Sequence, residues 1–435
     1  MNSGQAVDAD GQEPPSAPGE TRYHSLDALR AFALLLGVAF HAAESFEPGV
    51  ARYWAIEDSS TSEFLGWFRH ACHSFRMEIF FLIAGFFARL LLHRRGTGGF
   101  IRNRASRILV PLVVGWLILF PILVWLWLTG AAVGGQLARL GIPPEFADTP
   151  PWLLTVGFFA QLQFFKMFDL THLWFLHQLS VIYVLLLLIR RVWRVLPDTR
   201  RRCLREVDKG FAALCGSGWS TVVLAGLTAP TLMLMDSWGV DTPQKSLLPH
   251  LPTTLLYGFL FGVGWLLHRQ PSLLEKIALR WRGGLLLGVL LVLPTGAGLD
   301  WLHEMGWIER PVPGLRWAYS ALYALMMWGF VLGFLGLFVR VRRLPSSRWR
   351  YIADSSYWIY LVHLPLVVGL QVLVARWPGH WTWKYPLILA VATPVLFLSY
   401  HYLVRSTFIG VQLNGRRYPR SIKSAPAALP PQPAQ

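Results

Sequence analysis

The chain has 435 residues, of which 54% are hydrophobic and only 15% are charged, and it contains 21 tryptophans. Soluble domains carry about 25% charged residues, so this composition excludes an ordinary soluble enzyme and indicates a polytopic membrane protein. The net charge of +16 would suit a nucleic-acid binder. However, the Lys and Arg residues concentrate in alternate loops, which is the positive-inside pattern, so we expect a lipid bilayer and no nucleic acid as partner.

Apolar stretches of roughly 17 to 22 residues predict an all-α fold with about ten membrane-spanning helices. They lie at 26–45, 75–92, 109–129, 172–189, 219–235, 253–267, 284–299, 318–339, 356–374 and 385–404. Another apolar stretch, 151–165, is short and flanked by prolines and polar residues. It predicts an interfacial or re-entrant segment.

The two ends of the chain differ in composition from the apolar region. Residues 1–21 are rich in Pro, Gly and acidic residues and have no basic segment, so they predict a disordered leader and not a signal peptide. Residues 22–410 form the predicted transmembrane domain, and 411–435 a basic and then Pro-rich tail. The basic loops all fall on one side, which predicts that both termini are cytoplasmic. The three cysteines have no C-x-x-C spacing, so we expect neither a disulfide framework nor a metal site.

The first span carries the strongest functional signal. Arg30 and His41 are eleven positions apart, a helical rotation of about 1100°, or only ~20° beyond three turns, so both lie on one face. An Arg in mid-membrane costs on the order of 3 kcal/mol, which makes such residues functional candidates. His41 could deprotonate an alcohol, and Arg30 could bind a phosphorylated or carboxylated ligand. The alternatives are a structural histidine, and an arginine that reaches lipid headgroups or pairs with Asp27.

The second span places Arg76 and Glu78 at the predicted level of His41. Glu78 could orient the imidazole or take part in proton transfer. The alternative is that Arg76 and Glu78 only pair with each other at the membrane interface. Ala84 and Gly85 form a small surface that would let two helices approach closely.

Three more pairs of residues could contribute to a site. They are Arg104 with Arg107 before the third span, His172 with Trp174 at the start of the fourth, and Tyr360 with His363 in the ninth. The arginines could bind phosphate, the second pair could bind and stack on a sugar, and the third could line a polar cavity. The alternatives, in the same order, are charges that only set topology, an interfacial aromatic anchor, and two buried groups that satisfy each other.

Together, five segments in this order resemble the acyltransferase-3 family of integral membrane O-acyltransferases. They are Leu26 to His41, Phe80 to Gly85, Arg104 to Pro111, His172 to Leu176, and Tyr360 to His363. The runs around Arg76, His172 and His363 are especially similar to the branch that succinylates osmoregulated periplasmic glucans. Two positions depart from the pattern: Ala84 replaces the usual Ser, and Glu78 stands where that branch can carry a neutral amide.

The resemblance implies that Arg30 and His41 are the essential pair, and we assign catalytic roles to both of them and to Glu78. It implies an acyl-CoA-type donor in the cytoplasm, succinyl-CoA or acetyl-CoA, which is a co-substrate and not a tightly bound cofactor. The acceptor would be a hydroxyl of a periplasmic glucan or other polysaccharide, and the location a bacterial inner membrane. We assign the expected donor contacts to Arg30, Arg104, Arg107, Tyr360 and His363, and the substrate contacts to Arg76, His172 and Trp174. A proton-coupled transporter or exporter of a carboxylate or glycan is the alternative class.

Overall fold

The computed structural model describes residues 23–308, 313–342 and 346–419, and within these ranges it contains helices and no strands. The helices are α1 His24–Ala43, α2 Glu63–Arg104, α3 Val110–Gly134, α4 Pro151–Ala160, α5 Trp174–Val195, α6 Pro197–Gly216, α7 Ser220–Met233, α8 Leu251–Arg269, α9 Leu273–Ala278, α10 Trp281–Glu304, α11 Pro313–Val341, α12 Ser347–Val374, α13 Trp381–Ser399 and α14 Phe408–Asn414. The all-α polytopic prediction is confirmed. The predicted leader 1–21 and the tail beyond Pro419 lie outside the described residues.

The number of membrane-spanning helices differs from the predicted ten. Eight helical segments in the described ranges are long and apolar enough to cross a membrane. One of them, Glu63–Gly134, contains two predicted spans that are separated by a break at Gly96, where φ is +64°. The predicted span 219–235 is α7, which has 14 residues. Such a helix is about 21 Å long, which is shorter than the roughly 30 Å hydrocarbon core.

Helices α2 and α8 pack with their backbones in contact. A Cβ on Gly85 would overlap the carbonyl group of Phe261, and a Cβ on Gly264 would overlap that of Leu82. Only glycine at both positions allows this approach. The close-packing surface predicted at Gly85 is therefore confirmed.

The loops form two groups, one at each end of the helix bundle, and contacts occur within each group. On the basic side, Arg269 forms an ion pair with Asp208, and Gln412 donates to Ser106. On the opposite side, the Lys384 amine donates to Asp58, and both side chains are almost fully buried. These groups match the alternation of basic and acidic loops in the sequence.

The short helix α4 packs along α3. The rings of Phe158 and Phe159 lie 6.4 and 6.0 Å from that of Phe120. Further on, the Trp116 indole donates to the Asp169 carbonyl over 2.9 Å. Trp116 lies nearer the basic side than Phe120, so the chain runs along α3 toward the basic side before α5 begins. This course supports the predicted re-entrant segment. It also brings His172 into the helix bundle.

Candidate functional site

His41 lies in the last turn of α1 and is hydrogen-bonded to Glu44. The helix continues into a single 3₁₀ turn, Glu44–Phe46, which keeps Glu44 on the same face as His41. The distance from His41 Nδ1 to Glu44 Oε2 is 2.8 Å, and the two side chains are 15% and 7% exposed. With Glu44 ionised, its carboxylate can only accept, so Nδ1 carries the hydrogen and Nε2 presents its lone pair. Glu44 therefore occupies the orienting position that the sequence suggested for Glu78.

A second layer of charged residues surrounds Glu44. Arg69 of α2 places Nη1 3.9 Å from Glu44 Oε1, and its Nε and Nη2 bind Glu47. Arg69 Nη2 also donates to the Tyr53 hydroxyl over 2.9 Å. Burial raises the pKa of Tyr53, which keeps this hydroxyl protonated so that it donates in turn to Glu47. Arg69 thus links the two carboxylates.

Gln371 of α12 fixes the end of α1 from the other side. Its Nε2 donates to the carbonyls of His41 and Ala42 over 2.7 and 3.2 Å. Its Oε1 accepts from the Trp54 indole over 3.0 Å. Trp54 in turn lies parallel to the His41 ring, with the centroids 6.0 Å apart and 10° between the planes. The imidazole is therefore held by a carboxylate, an aromatic face and a pinned backbone.

Two further histidines continue the site away from His41. The His363 ring lies 5.2 Å from that of His41 and 5.4 Å from that of His172. His363 Nδ1 donates to the Tyr360 carbonyl over 2.8 Å, and its Nε2 has no hydrogen-bond partner among the described residues. The Tyr360 hydroxyl donates to the His172 carbonyl over 2.7 Å. Tyr360 and His363 thus connect α12 to α5 and do not merely satisfy each other.

Arg76 is buried beside this cluster, and Glu78 is buried two residues further along α2. The Arg76 guanidinium lies 4.1 Å from the centre of the Phe40 ring, and Nη1 donates weakly to the Gly37 carbonyl over 3.4 Å. Neither Arg76 Nε nor either Glu78 oxygen has a hydrogen-bond partner among the described residues. The direct Arg76–Glu78 ion pair considered from the sequence is not among the contacts of the described residues. Buried polar atoms without a protein partner are rare, and each calls for an explanation such as a ligand, an ion or a water molecule.

Arg30 lies against the start of α12. Its Nη2 is 3.2 Å from Asp27 Oδ1 and donates to the Ala353 carbonyl over 3.3 Å. The pairing with Asp27 considered from the sequence is therefore present. Because the His41 ring also faces α12, at His363, the predicted common face of Arg30 and His41 is confirmed.

Arg104 and Arg107 lie together at the basic side, where α2 joins α3 through a π-helical turn, Ala105–Leu109. Turns of this kind recur at functional sites. The Arg104 guanidinium lies over the Tyr183 ring at 5.2 Å, and the Tyr357 hydroxyl donates to the Arg107 carbonyl. Tyr357 is one turn from Tyr360, so α12 connects the arginine pair to the histidines.

Trp174 does not join the site. It is 7% exposed and packs in the core, 5.6 Å from the Tyr257 ring and 6.4 Å from the Phe81 ring. This position gives no support to its predicted sugar-stacking role. The aromatic residue next to His41 is Trp54, which lies in a loop between spans where the sequence offered no periodic signal.

This chain is similar to a known protein family and to several known proteins. A family described as an acyltransferase domain, acyltransferase-3, matches residues 23–401. Glucans biosynthesis protein C of Escherichia coli O6:K15:H31 is 25% identical over 360 residues, covering 80% of this chain and 82% of that protein. The protein of the same name from strain K12 is 25% identical over 358 residues, with coverage of 80% and 82%. The one from Salmonella paratyphi A is 23% identical over 364 residues, with coverage of 81% and 84%. No solved structure matches this chain.

Proposed function

Because this chain belongs to the acyltransferase-3 family and is an integral membrane O-acyltransferase, we propose that it moves an acyl group from a cytoplasmic acyl-CoA-type thioester to a hydroxyl of a periplasmic glucan. The glucan acceptor is suggested by the name of its relatives, glucans biosynthesis protein C. The location would be the inner membrane of a bacterium, with both termini in the cytoplasm, as the distribution of basic loops favours. Family membership makes the transporter considered from the sequence the weaker alternative.

The observation that carries the mechanism is the hydrogen bond between His41 and Glu44. With Nδ1–H bound to the carboxylate, the lone pair of Nε2 takes the proton of the acceptor hydroxyl as its oxygen attacks the thioester carbon. The tetrahedral intermediate collapses, the C–S bond breaks, and the leaving thiolate takes the proton back from Nε2. The Glu44 carboxylate stabilises the imidazolium that exists between these two transfers.

The donor would lie along α12. Its phosphates would bind Arg104 and Arg107 on the basic side, with Arg30 next to Ala353 as a further cation. The acyl-bearing arm would follow Tyr357 and Tyr360 toward His363. From Ala353 to His363 the helix rises about 15 Å, which is similar to the rise of about 16 Å from Arg30 to His41.

A succinyl donor would bring a second carboxylate into the membrane, where it needs a cation. Arg76 is suited to this role because it is buried, close to the histidines, and has an unused Nε. Acetyl transfer is the alternative, since an acetyl group makes no such demand. Glu78, with both oxygens free, would then bind a polar group of either substrate.

The test is the mass spectrum of periplasmic glucans from cells that produce the wild type or the His41→Ala variant. We expect a discrete acyl mass with the wild type and its loss with His41→Ala at equal protein level. The control is His70→Ala: His70 is also a partly buried histidine near this side, but it binds Thr295 and stands outside the cluster. If glucans from cells that produce the wild type carry no added acyl mass, the proposed acceptor is wrong. If His41→Ala still acylates the glucans, the proposed mechanism is wrong.

A further inference from the structure

A groove on the basic side of the protein lies between α6, α7 and α8. Its volume of about 520 Å³ is lined throughout by apolar side chains and glycines, among them Phe211, Leu214, Leu227 and Trp265. Ligand pockets typically measure about 300–1,000 Å³. It faces the half of α8 that ends at Arg269, so its position is the leaflet next to the basic loops.

Helix α6 borders the groove without closing it. Only Phe211 and Cys215 of its residues are buried. Polar contacts at its middle and at its C-terminal end hold it in place: Arg269 donates to Asp208, and Arg280 donates to the Cys215 and Gly216 carbonyls. The amphipathic helix is thus fixed beside the bundle while part of its apolar face stays uncovered.

The charges on α6 indicate which kind of ligand the groove would bind. Arg200, Arg201, Arg202 and Arg205 are exposed and form no ion pair with a described residue. Of the acidic residues on α6, Asp208 pairs with Arg269 and Glu206 pairs with Lys209, which leaves only Asp198 beside the four arginines. Arg202 precedes Gly210 of the groove by eight residues, or about 12 Å of helix. An apolar slot with an excess of cations at one end matches an acyl chain that carries an anionic headgroup.

We propose that the groove binds one acyl chain of an anionic phospholipid, whose phosphate lies against the arginines of α6. The volume suits one acyl chain better than a helix of a second copy or of another protein, because a helix with side chains is about 10–12 Å wide. The site is separate from the His41 cluster, and its occupancy does not depend on acyl transfer.

The glycines of the groove allow a direct test. A Cβ at Gly210 or Gly262 would meet nothing within 4 Å, so a larger side chain can extend from either position into the groove. Gly258, one turn from Gly262 on α8, is equally open but does not line the groove. Gly258→Leu is therefore the matched control for Gly262→Leu, and Gly210→Leu tests the opposite wall independently.

Delipidated full-length protein in detergent would be titrated with phosphatidylglycerol or phosphatidylethanolamine of identical chains, and bound lipid counted by native mass spectrometry. We expect one phosphatidylglycerol bound about tenfold more tightly than phosphatidylethanolamine. Gly262→Leu and Gly210→Leu should abolish this binding, and Gly258→Leu should not. The triple variant Arg200→Gln, Arg201→Gln, Arg202→Gln should lose the headgroup preference but keep chain binding.

Four results would overturn the proposal. The first is equal binding of the two lipids to the wild type. The second is unchanged binding in both groove-filling variants. The third is that glycerol phosphate displaces bound phosphatidylglycerol as strongly as the whole lipid does, because the site would then bind only the anionic group and no acyl chain. A dimer of the wild type that Gly262→Leu dissociates would make the groove a protein interface and would equally refute it.

Discussion

Replacing Glu44 by Gln tests the proposed catalytic geometry most directly. The amide keeps the size of the side chain but removes the charge that accepts the proton of His41 Nδ1. It also offers an N–H that would favour the other tautomer, in which Nε2 carries the hydrogen and cannot take a proton from a hydroxyl. We expect transfer to fall while substrate binding changes little.

The size of the loss follows from the contact. A hydrogen bond to a charged, mostly buried partner contributes about 1.5–3 kcal/mol, and each 1.36 kcal/mol corresponds to a factor of ten in rate. Loss of the bond alone therefore costs about ten- to a hundredfold. The wrong tautomer can raise the loss to about 10⁴-fold, as when the carboxylate of a catalytic triad is replaced by an amide. We predict a decrease in kcat of about 10² to 10⁴.

The assay is acyl transfer by purified protein in vesicles, measured as product mass over time at several donor concentrations. Glu47→Gln is the matched control, because it makes the same chemical change three residues away, at a carboxylate that binds Arg69 and not His41. We expect its effect to be less than about tenfold. Equal losses in the two variants, or a kcat near wild type in Glu44→Gln, would refute the orienting role.

The remaining predictions concern stability and the two ends of the donor. Asp58→Asn should lower the free energy of unfolding by about 3–5 kcal/mol, because it leaves the buried Lys384 amine unpaired; adding Lys384→Met should recover part of this in thermal unfolding, and no recovery would contradict the pairing. Gly415→Ala should raise the KM for the thioester at unchanged kcat, since Gly415 has φ +79° and a Cβ there would overlap the Arg107 guanidinium; an unchanged KM would remove Arg107 from the donor site. Arg76→Gln should lower the preference for succinyl over acetyl donors, measured by competition, and the carboxylate role fails if that preference stays the same.

Local periodicity allowed the sequence to predict much of the site. The common face of Arg30 and His41 depends only on the helical repeat, and the structure places both against α12. The close approach at Gly85 depends only on the absence of a Cβ. Such features lie within one helix, where 3.6 residues per turn fixes their geometry.

Contacts between segments that are distant in the chain could not be predicted from the sequence. Glu44 and Glu78 are both carboxylates near the predicted level of His41. Glu44 is the one that contacts His41, because α1 continues directly into the 3₁₀ turn that carries Glu44. Trp54 and Gln371 reach the site from a loop and from a helix more than 300 positions away. Trp174 follows His172 by two residues, yet it points to the core because a helix rotates by about 200° over that distance.

The length of α7 illustrates a different limit. Hydropathy counted apolar residues from 219 to 235, but the chain leaves the helix at Met233, and Pro230 already removes one backbone donor within it. Hydropathy measures how well a segment dissolves in lipid and not whether it crosses the bilayer. The shortened helix packs instead against α8 and α11, where the Trp328 indole donates to Thr228 over 3.0 Å.

Helix α12 is the element that joins these parts into one site. Along its length it contacts Arg30 at Ala353, the arginine pair through Tyr357, α5 through Tyr360, and the end of α1 through His363 and Gln371. Neighbouring contacts in this series are three to eight residues apart, so they follow one side of the helix from the basic end to the opposite end. A donor bound in the cytoplasm and an acceptor outside need such a continuous polar wall, because lipid offers a thioester arm no hydrogen bonds. The position of His41 at the far end of this wall, and not midway along it, is what would bring the base to the side from which a glucan can enter.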